Sequence, residues 1–389
     1  MQRYALLLSL LLVVAAFAPA IGGVAAVSPA ADHVAPGDDE AFGATAPDRQ
    51  SAVQADACSF PYVATDATGT EVTIDADPER IVTLNPSAAQ TMWEIGAEDE
   101  VVGVSQYASY LEGTDATENV SGPSGPSVEE VIGADPDLVL VPSSSYGAAE
   151  DRVEQLRAQG IPVYVFGPGT SLEFVANKTE LIGRLTGNCE AGAERAAEMR
   201  QSVALMEQAL DDEERPVGLN VFFGYTSGAN TFIGDVMGTG GLRNGAAAAN
   251  ISGFKPINDE VVVTLDPEWI VVPENSPVPE TPAYNSTTAV QEGNVVVVDT
   301  NYLQQPAPRA VIAAETIMQA VHPEAYDEYR QLQAQADADS ITTTPPPETT
   351  TATQTPDSPA TTATGTPGFG ASVSVVAVAA LVMLLARRQ

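Results

Sequence analysis

The amino-acid sequence predicts an α/β protein with two parallel-sheet lobes joined by a single long α-helix. Three observations point there. An α/β unit occurs twice along the chain. In both copies short apolar strands of buried type alternate with helical stretches, the pattern of parallel sheets. A long amphipathic stretch, 190–214, lies between the copies.

The elements follow in chain order. Residues 1–26 carry Arg3, an apolar run and small residues around Ala18-Pro19-Ala20, which reads as a secretory signal peptide. A membrane anchor is the alternative, but the run is shorter than the ~20 residues a span needs. Residues 27–57, rich in Ala, Asp and Pro, form a flexible lead-in. The N-terminal lobe is expected over 58–187, the bridging helix over 188–214 and the C-terminal lobe over 215–332.

The repeat carries the fold argument. Its first copy, 127–142, reads SVEEVIGADPDLVLVP, and its second, 258–273, reads NDEVVVTLDPEWIVVP. Each places a capping residue, Ser127 or Asn258, two positions before a glutamate, Glu129 or Glu260. Each then reaches Asp-Pro and runs into a buried-type strand ending in Pro. A second strand follows at 161–166 and at 295–299. An earlier strand and helix precede each copy, at 80–84 with 87–95 and at 217–222 with 231–238. In the bridge, Ala196, Met199, Val203, Met206 and Leu210 recur at helical spacing. Trp93 and Trp269 lie on apolar faces and read as core.

Composition excludes several functions. With 52 acidic and 16 basic side chains the net charge is −36. Such a surface repels phosphate backbones, so nucleic acid is not a partner. Hydrophobic residues make up 44%, too many for a disordered acidic chain. Lys178 and Lys255 are the only lysines. Many carboxylates with almost no lysine suit multimolar salt, where charges are screened beyond ~3 Å. No Gly-x-Ser-x-Gly elbow, Walker loop or His-Glu-x-x-His motif is present, so no enzyme and no cofactor is expected. The glycines of 238–241 read as a helix-ending turn. His33 and His322 lie outside the expected ligand loops, which argues against a direct metal binder.

Cys58 and Cys189 both fall in the exported part and are expected to form a disulfide. Closing so long a loop is worth at most about 5 kcal/mol in the chain-entropy model. Sequons at Asn119, Asn177, Asn250 and Asn285 fit a surface glycoprotein, though chance accounts for some of them. Residues 333–366 form a Thr/Pro-rich stalk suited to O-glycosylation. Residues 367–389 hold Pro367-Gly368-Phe369, an apolar run and Arg387-Arg388. This end resembles the PGF-type C-terminal sorting signal of salt-loving archaea. The resemblance implies cleavage by an archaeosortase and a lipid in place of the tail; a plain transmembrane anchor is the alternative. Either way the protein is tethered to the outer face of the cell membrane.

Several motifs in order carry a second resemblance: 66–110, SVEEVIGADPDLVLV, VEQLRAQGIPVYVF, FIGDVMGTGGLRN and APRAVIAAETI. Over roughly 60–325 the chain resembles the helical-backbone class of ABC-transporter substrate-binding proteins, which serve cobalamin, iron-siderophores and haem; the cobalamin binders are nearest. The resemblance implies a ligand in the cleft between two lobes and a small hinge motion. It also implies that Glu129 and Glu260, one per lobe, dock onto arginines of a dimeric ABC permease with its ATPase subunits. The bland alternative is that each glutamate only stabilises its helix dipole, worth ~0.3–1 kcal/mol.

A corrin or another flat ligand wants aromatic faces and a few fixed polar groups. Loops at the strand C-termini, 85–88, 106–110, 143–146, 223–229, 273–276 and 300–309, supply the candidates. They are Ser87, Tyr107, Tyr110, Tyr146, Phe223, Tyr225, Tyr302 and Arg309. Arg309 could bind a carboxylate or amide of the ligand, or form an inter-lobe salt bridge. Where the family's cobalamin binders have a Trp before the first docking glutamate, this chain has Gly122-Pro-Ser-Gly-Pro126. That leaves haem or a ferric chelate open as ligand. A stalked cell-surface structural protein, the reading from a different class, would show all-β patterning instead.

Overall fold

The computed structural model describes residues 59–122 and 125–343. The expected signal peptide, the lead-in, Cys58, the stalk beyond residue 343 and the C-terminal anchor lie outside the described residues.

An antiparallel pair, β1 (Tyr62–Thr65) and β2 (Glu71–Ile74), opens the described chain. There follow β3 (Ile81–Thr83), β4 (Val101–Val104) and β5 (Glu118–Asn119), then the small antiparallel pair β6 (Ser121–Gly122) and β7 (Gly125–Pro126). β8 (Leu138–Pro142) and β9 (Val163–Phe166) complete the first lobe. Its five-stranded sheet is all parallel in the order β5-β4-β3-β8-β9. Residues 138–141 are wholly buried, as a strand covered by helices on both faces must be. That double burial is why the stretch is an unbroken run of Leu and Val rather than an alternation.

The second lobe holds β10 (Val217–Asn220), β11 (Tyr225–Ser227), β12 (Arg243–Asn244), β13 (Phe254–Pro256), β14 (Trp269–Pro273) and β15 (Val295–Val298). Its parallel sheet runs β12-β10-β14-β15, and β11 pairs antiparallel with β13 beside it. Corresponding strands meet in corresponding register: Val139 opposite Val163 in one lobe, Ile270 opposite Val295 in the other.

The repeat appears as matching local structure. Ser127 and Asn258 cap the helices Val128–Gly133 and Asp259–Leu265, accepting from the amides of Glu130 and Val261. Val131 and Val262 are the buried residues of the two helices. Asp135 and Asp266 both take left-handed backbone, φ 49° and 40°. The following proline bars helical geometry there, so each helix ends and the chain turns into its strand.

The bridging helix is Cys189–Ala209, shorter at its C-terminus than the expected 188–214. Four acids, 211–214, meet the negative end of the helix dipole and Pro216 follows, so the turn cannot propagate. Ala196, Met199, Met206 and Leu210 are buried on the predicted face. The preceding helix, Leu172–Leu185, also spans the junction. Its Leu172, Val175 and Ala176 pack into the C-terminal core, while its Ile182 and Leu185 pack into the N-terminal core. These two helices cross with Gly183 against Gly192; a Cβ on Gly192 would lie 2.9 Å from the Gly183 Cα. The helix Pro323–Thr343 runs past residue 332, where the stalk was expected to begin, and packs along the bridge.

Candidate functional site

Parallel sheets expose loops at the carboxyl ends of their strands. In the N-terminal lobe the ends of β3 and β4 and the start of the helix Ser143–Ala158 enclose a cavity of about 220 Å³. Asn85, Ser105, Tyr107, Ser121, Ser144 and Ser145 supply its polar lining. The Ser105 hydroxyl is buried without a partner, and the Tyr107 ring is 68% exposed.

In the C-terminal lobe the turn after β10 carries aromatic rings. Phe222 and Tyr225 exchange backbone hydrogen bonds across it. Phe223 and Gly224 between them both have positive φ, 47° and 82°, the geometry of a tight mirror-image turn. Glycine adopts it freely, but a phenylalanine there is strained. The Phe223 amide donates to the Ser276 hydroxyl at 2.7 Å, which holds the turn, and the ring stands 67% exposed. Phe222 lies 6.1 Å from Tyr225 and meets Phe254 edge-on at 6.0 Å. Phe254 and Tyr225 are themselves largely exposed. Phe222, Tyr225 and Phe254 therefore present a contiguous apolar surface, with the exposed Phe223 in the same turn, and such a surface is costly to leave in water without a use.

The junction between the lobes is polar and tightly paired. Arg309 Nε donates to Glu94 at 2.7 Å, and the Arg309 amide donates to the Gln90 side chain at 3.0 Å. Arg195 of the bridging helix donates to the other oxygen of Glu94 at 3.0 Å. Glu94 thus ties the first lobe to both the bridge and the second lobe. Gln90 also donates to the Tyr110 hydroxyl at 2.8 Å. Burial pushes that phenol up to about 12, so it remains a neutral hydrogen-bonding group. Lys178, on the helix Leu172–Leu185, is buried; its Nζ donates to the Pro306 carbonyl at 2.5 Å and reaches Ser87 Oγ at 3.4 Å. Among the described residues no carboxylate pairs with it, and burial brings its ammonium down to about 7. From the second lobe, Asp235 accepts the Leu172 amide at 2.8 Å.

The candidate residues accordingly divide. Tyr107, Phe223 and Tyr225 are exposed at strand ends, as a ligand face requires. Tyr110, Tyr302 and Arg309 gather at the lobe junction. There the Arg309 guanidinium is already committed to Glu94, the inter-lobe alternative of the two roles expected for it. Ser87 is buried inside its helix with Lys178 beside its hydroxyl, so it belongs to the junction and not to an open ligand face. Tyr146 lies on a helix, not a loop, and packs on the core under the N-terminal sheet. Glu129 and Glu260 are exposed in the first turns of their helices. Phe222, Phe254, Ser105, Gln90 and Glu94 were not singled out from sequence. Phe254 had a usable signal: it stands shortly before Glu260, where the first repeat has only Gly122–Pro126.

Among the described residues no cluster of His, Cys, Asp or Glu could hold a metal ion, and no helix is long and apolar enough to cross a membrane. A family model described as periplasmic binding protein matches residues 81–302. This chain belongs to the periplasmic binding protein family. The binding protein is 44% identical over 281 residues to the cobalamin-binding protein of Halobacterium salinarum, across 68% of this chain and 75% of that one. Its fold is similar to the apo periplasmic haem-binding protein of a Roseiflexus species, with a TM-score of 0.58 at 25% identity over 64% and 99% of the two chains. The periplasmic vitamin B12-binding protein of Vibrio cholerae is similar in fold alone, with a TM-score of 0.55 at 21% identity over 63% and 96%. Proteins of this family have two lobes joined by a helix and bind solutes; they are not enzymes. The binding protein is therefore neither an enzyme nor a stalked structural module of all-β build.

Proposed function

We propose that this chain captures a corrinoid of the cobalamin type outside the cell and delivers it to an ABC importer. The observation that carries the reading is the aromatic surface of Phe222, Tyr225 and Phe254 at a strand end, with the exposed Phe223 in the same turn, in a chain 44% identical to a cobalamin-binding protein. A flat amphipathic macrocycle matches such a face, and hydroxyls such as those around Ser105 suit its polar side arms. A second reading, haem or a ferric chelate, is favoured by one observation: the Gly122–Pro126 stretch offers no ring on the N-terminal side.

Delivery rests on Glu129 and Glu260, which offer one exposed carboxylate per lobe to a dimeric permease with ATPase subunits. Equivalent charges at equivalent places suit a two-fold partner and set orientation more than affinity. The leader at 1–26 exports the chain, and the stalk and PGF-type end hold it on the outer face of the membrane. Cys189 and Cys58 are paired as a disulfide in this reading, as two cysteines of an exported chain would be. The sequons then carry glycans on the cell surface.

Calorimetric titration of the ectodomain with cyanocobalamin, haemin and a ferric hydroxamate siderophore tests the ligand. Cyanocobalamin binding at micromolar or tighter Kd is expected. Tight binding of haemin or the siderophore with no response to cyanocobalamin would replace the first reading by the second.

A further inference from the structure

The two repeat helices share one feature that neither packing nor the docking glutamates explain. Ile132 and Val263 stand five positions after the caps Ser127 and Asn258 and three after Glu129 and Glu260. They are 42% and 53% exposed. On a helix, residues three apart lie on one face, so each lobe shows a carboxylate with an aliphatic side chain one turn beyond it. The core does not need them, because Val131 and Val262, each the neighbouring residue, are fully buried and do the packing. A polar residue at 132 or 263 would cost the fold only the part of each side chain that its own lobe covers. A single exposed aliphatic needs no explanation, but two at the same register of a duplicated unit, each beside the same acid, do.

We propose that Ile132 and Val263 are a matched pair of apolar contacts, one per lobe, that enter two equivalent sockets on a two-fold symmetric membrane permease. The charge of the helices defines the rim of those sockets. Helix Val128–Gly133 carries Glu129 and Glu130, helix Asp259–Leu265 carries Asp259 and Glu260, and neither carries a basic residue. The complementary surface is an apolar socket edged by arginine or lysine, present twice. Acids at the rim steer and orient the encounter, while a buried aliphatic at the centre supplies the contact energy. Equal sockets follow from the equal register: a pseudo-two-fold pair of lobes can satisfy a two-fold partner only with the same side-chain type in the same place. This inference deepens the docking part of the proposed function and rests on it.

The test uses the full chain in host cells whose own copy of the gene is deleted, with uptake of radiolabelled cyanocobalamin read below saturation. The variants are Ile132→Ser, Val263→Ser, their double, the conservative Ile132→Val and Val263→Ile, and the docking pair Glu129→Gln and Glu260→Gln. Each purified variant is also titrated with cyanocobalamin and melted, so that loss of ligand binding or folding is seen directly. Each serine variant is expected to lower uptake about fivefold, the worth of the part of an aliphatic side chain still open to water, and the double about 25-fold. Ligand affinity stays unchanged, Tm falls by no more than a few degrees with the variants still folded at the assay temperature, and the conservative variants retain uptake. Serine variants with normal uptake beside glutamine variants that lose it would overturn the apolar pair and leave the docking reading standing. Loss confined to one of the two serine variants would also overturn it, since the sockets would not be equivalent. Normal uptake in all of them, glutamine variants included, would overturn the docking reading together with the pair.

Discussion

Replacing Lys178 by methionine separates the energetics of the lobe junction from everything else in the fold. Methionine keeps the length and apolar stem of the side chain and removes the ammonium. In the folded protein burial brings this group from its ordinary 10.5 down to about 7, whereas in the unfolded chain it keeps the ordinary value. Between those values the unfolded state binds the proton and the folded state does not. Stability contributed by this site therefore rises with pH across that window, at a limiting slope of about 1.4 kcal/mol per pH unit. From pH 7 to pH 9 the gain integrates to about 2 kcal/mol, because the group is still half protonated at the start. The methionine variant lacks this dependence. It also leaves the Pro306 carbonyl without its donor, a pH-independent loss of about 1–3 kcal/mol. Urea unfolding of both proteins at pH 7, 8 and 9, at fixed salt, reads the difference. The wild-type advantage should widen by about 2 kcal/mol over that range. A constant difference would refute the reasoning, because it would mean the ammonium is solvated and carries its ordinary proton affinity.

Three further expectations come from the same structure. Glu94→Gln leaves two arginines short of their shared carboxylate; with Glu94 only 18% exposed, a loss of about 2–3 kcal/mol is expected in calorimetric unfolding, and an unchanged Tm would show that the pairs form without stabilising. Gly192→Val forces apart the crossing with Gly183, where even a Cβ would sit 3.1 Å from the Thr179 carbonyl; overpacking should cost about 3 kcal/mol or somewhat more by the same measurement, and a neutral result would mean the crossing is loose. Phe254→Ala should weaken cyanocobalamin binding about tenfold at constant Tm, while Tyr146→Ala, at a ring that packs against the N-terminal core, should leave affinity within twofold; the reverse order would move the ligand face off the aromatic surface.

Much of the fold was legible because its signals are local. A cap, a glutamate two positions on, Asp-Pro six beyond that and a Val-rich strand can be read within sixteen residues, and they recur. The buried face of the bridging helix followed from spacing alone, through Ala196, Met199, Met206 and Leu210. Its C-terminal limit did not: the apolar periodicity stops at Leu210, and the expected extension to 214 ran over four acids that, with Pro216 behind them, do not continue the helix. The helix Pro323–Thr343 crosses the expected lobe-to-stalk boundary at 332 for a related reason. Its polar second half bears little apolar signal, and its place along the bridging helix is a tertiary contact.

The candidate site was only half legible. Aromatic residues at strand ends could be counted, but which rings stand free and which are consumed by the core depends on what covers them. Tyr107 and Tyr146 look alike in sequence, yet one is 68% exposed and the other packs on a core. Phe223 is distinguished by its backbone, since only the closed turn with Gly224 reveals φ of 47°.

The sequence by itself determined the twin α/β lobes, the bridge between them, the absence of a catalytic motif and the paired acids at the helix starts, because each is written in residues a few positions apart. The tertiary structure alone decided how the lobes are held together. Arg309 meets Glu94 across 215 positions, and Lys178 meets Pro306 across 128. No local pattern can select one carboxylate from fifty-two or aim a buried ammonium at a carbonyl. Only folding, by burying these groups where an unpaired charge or polar atom is costly, makes the pairing specific.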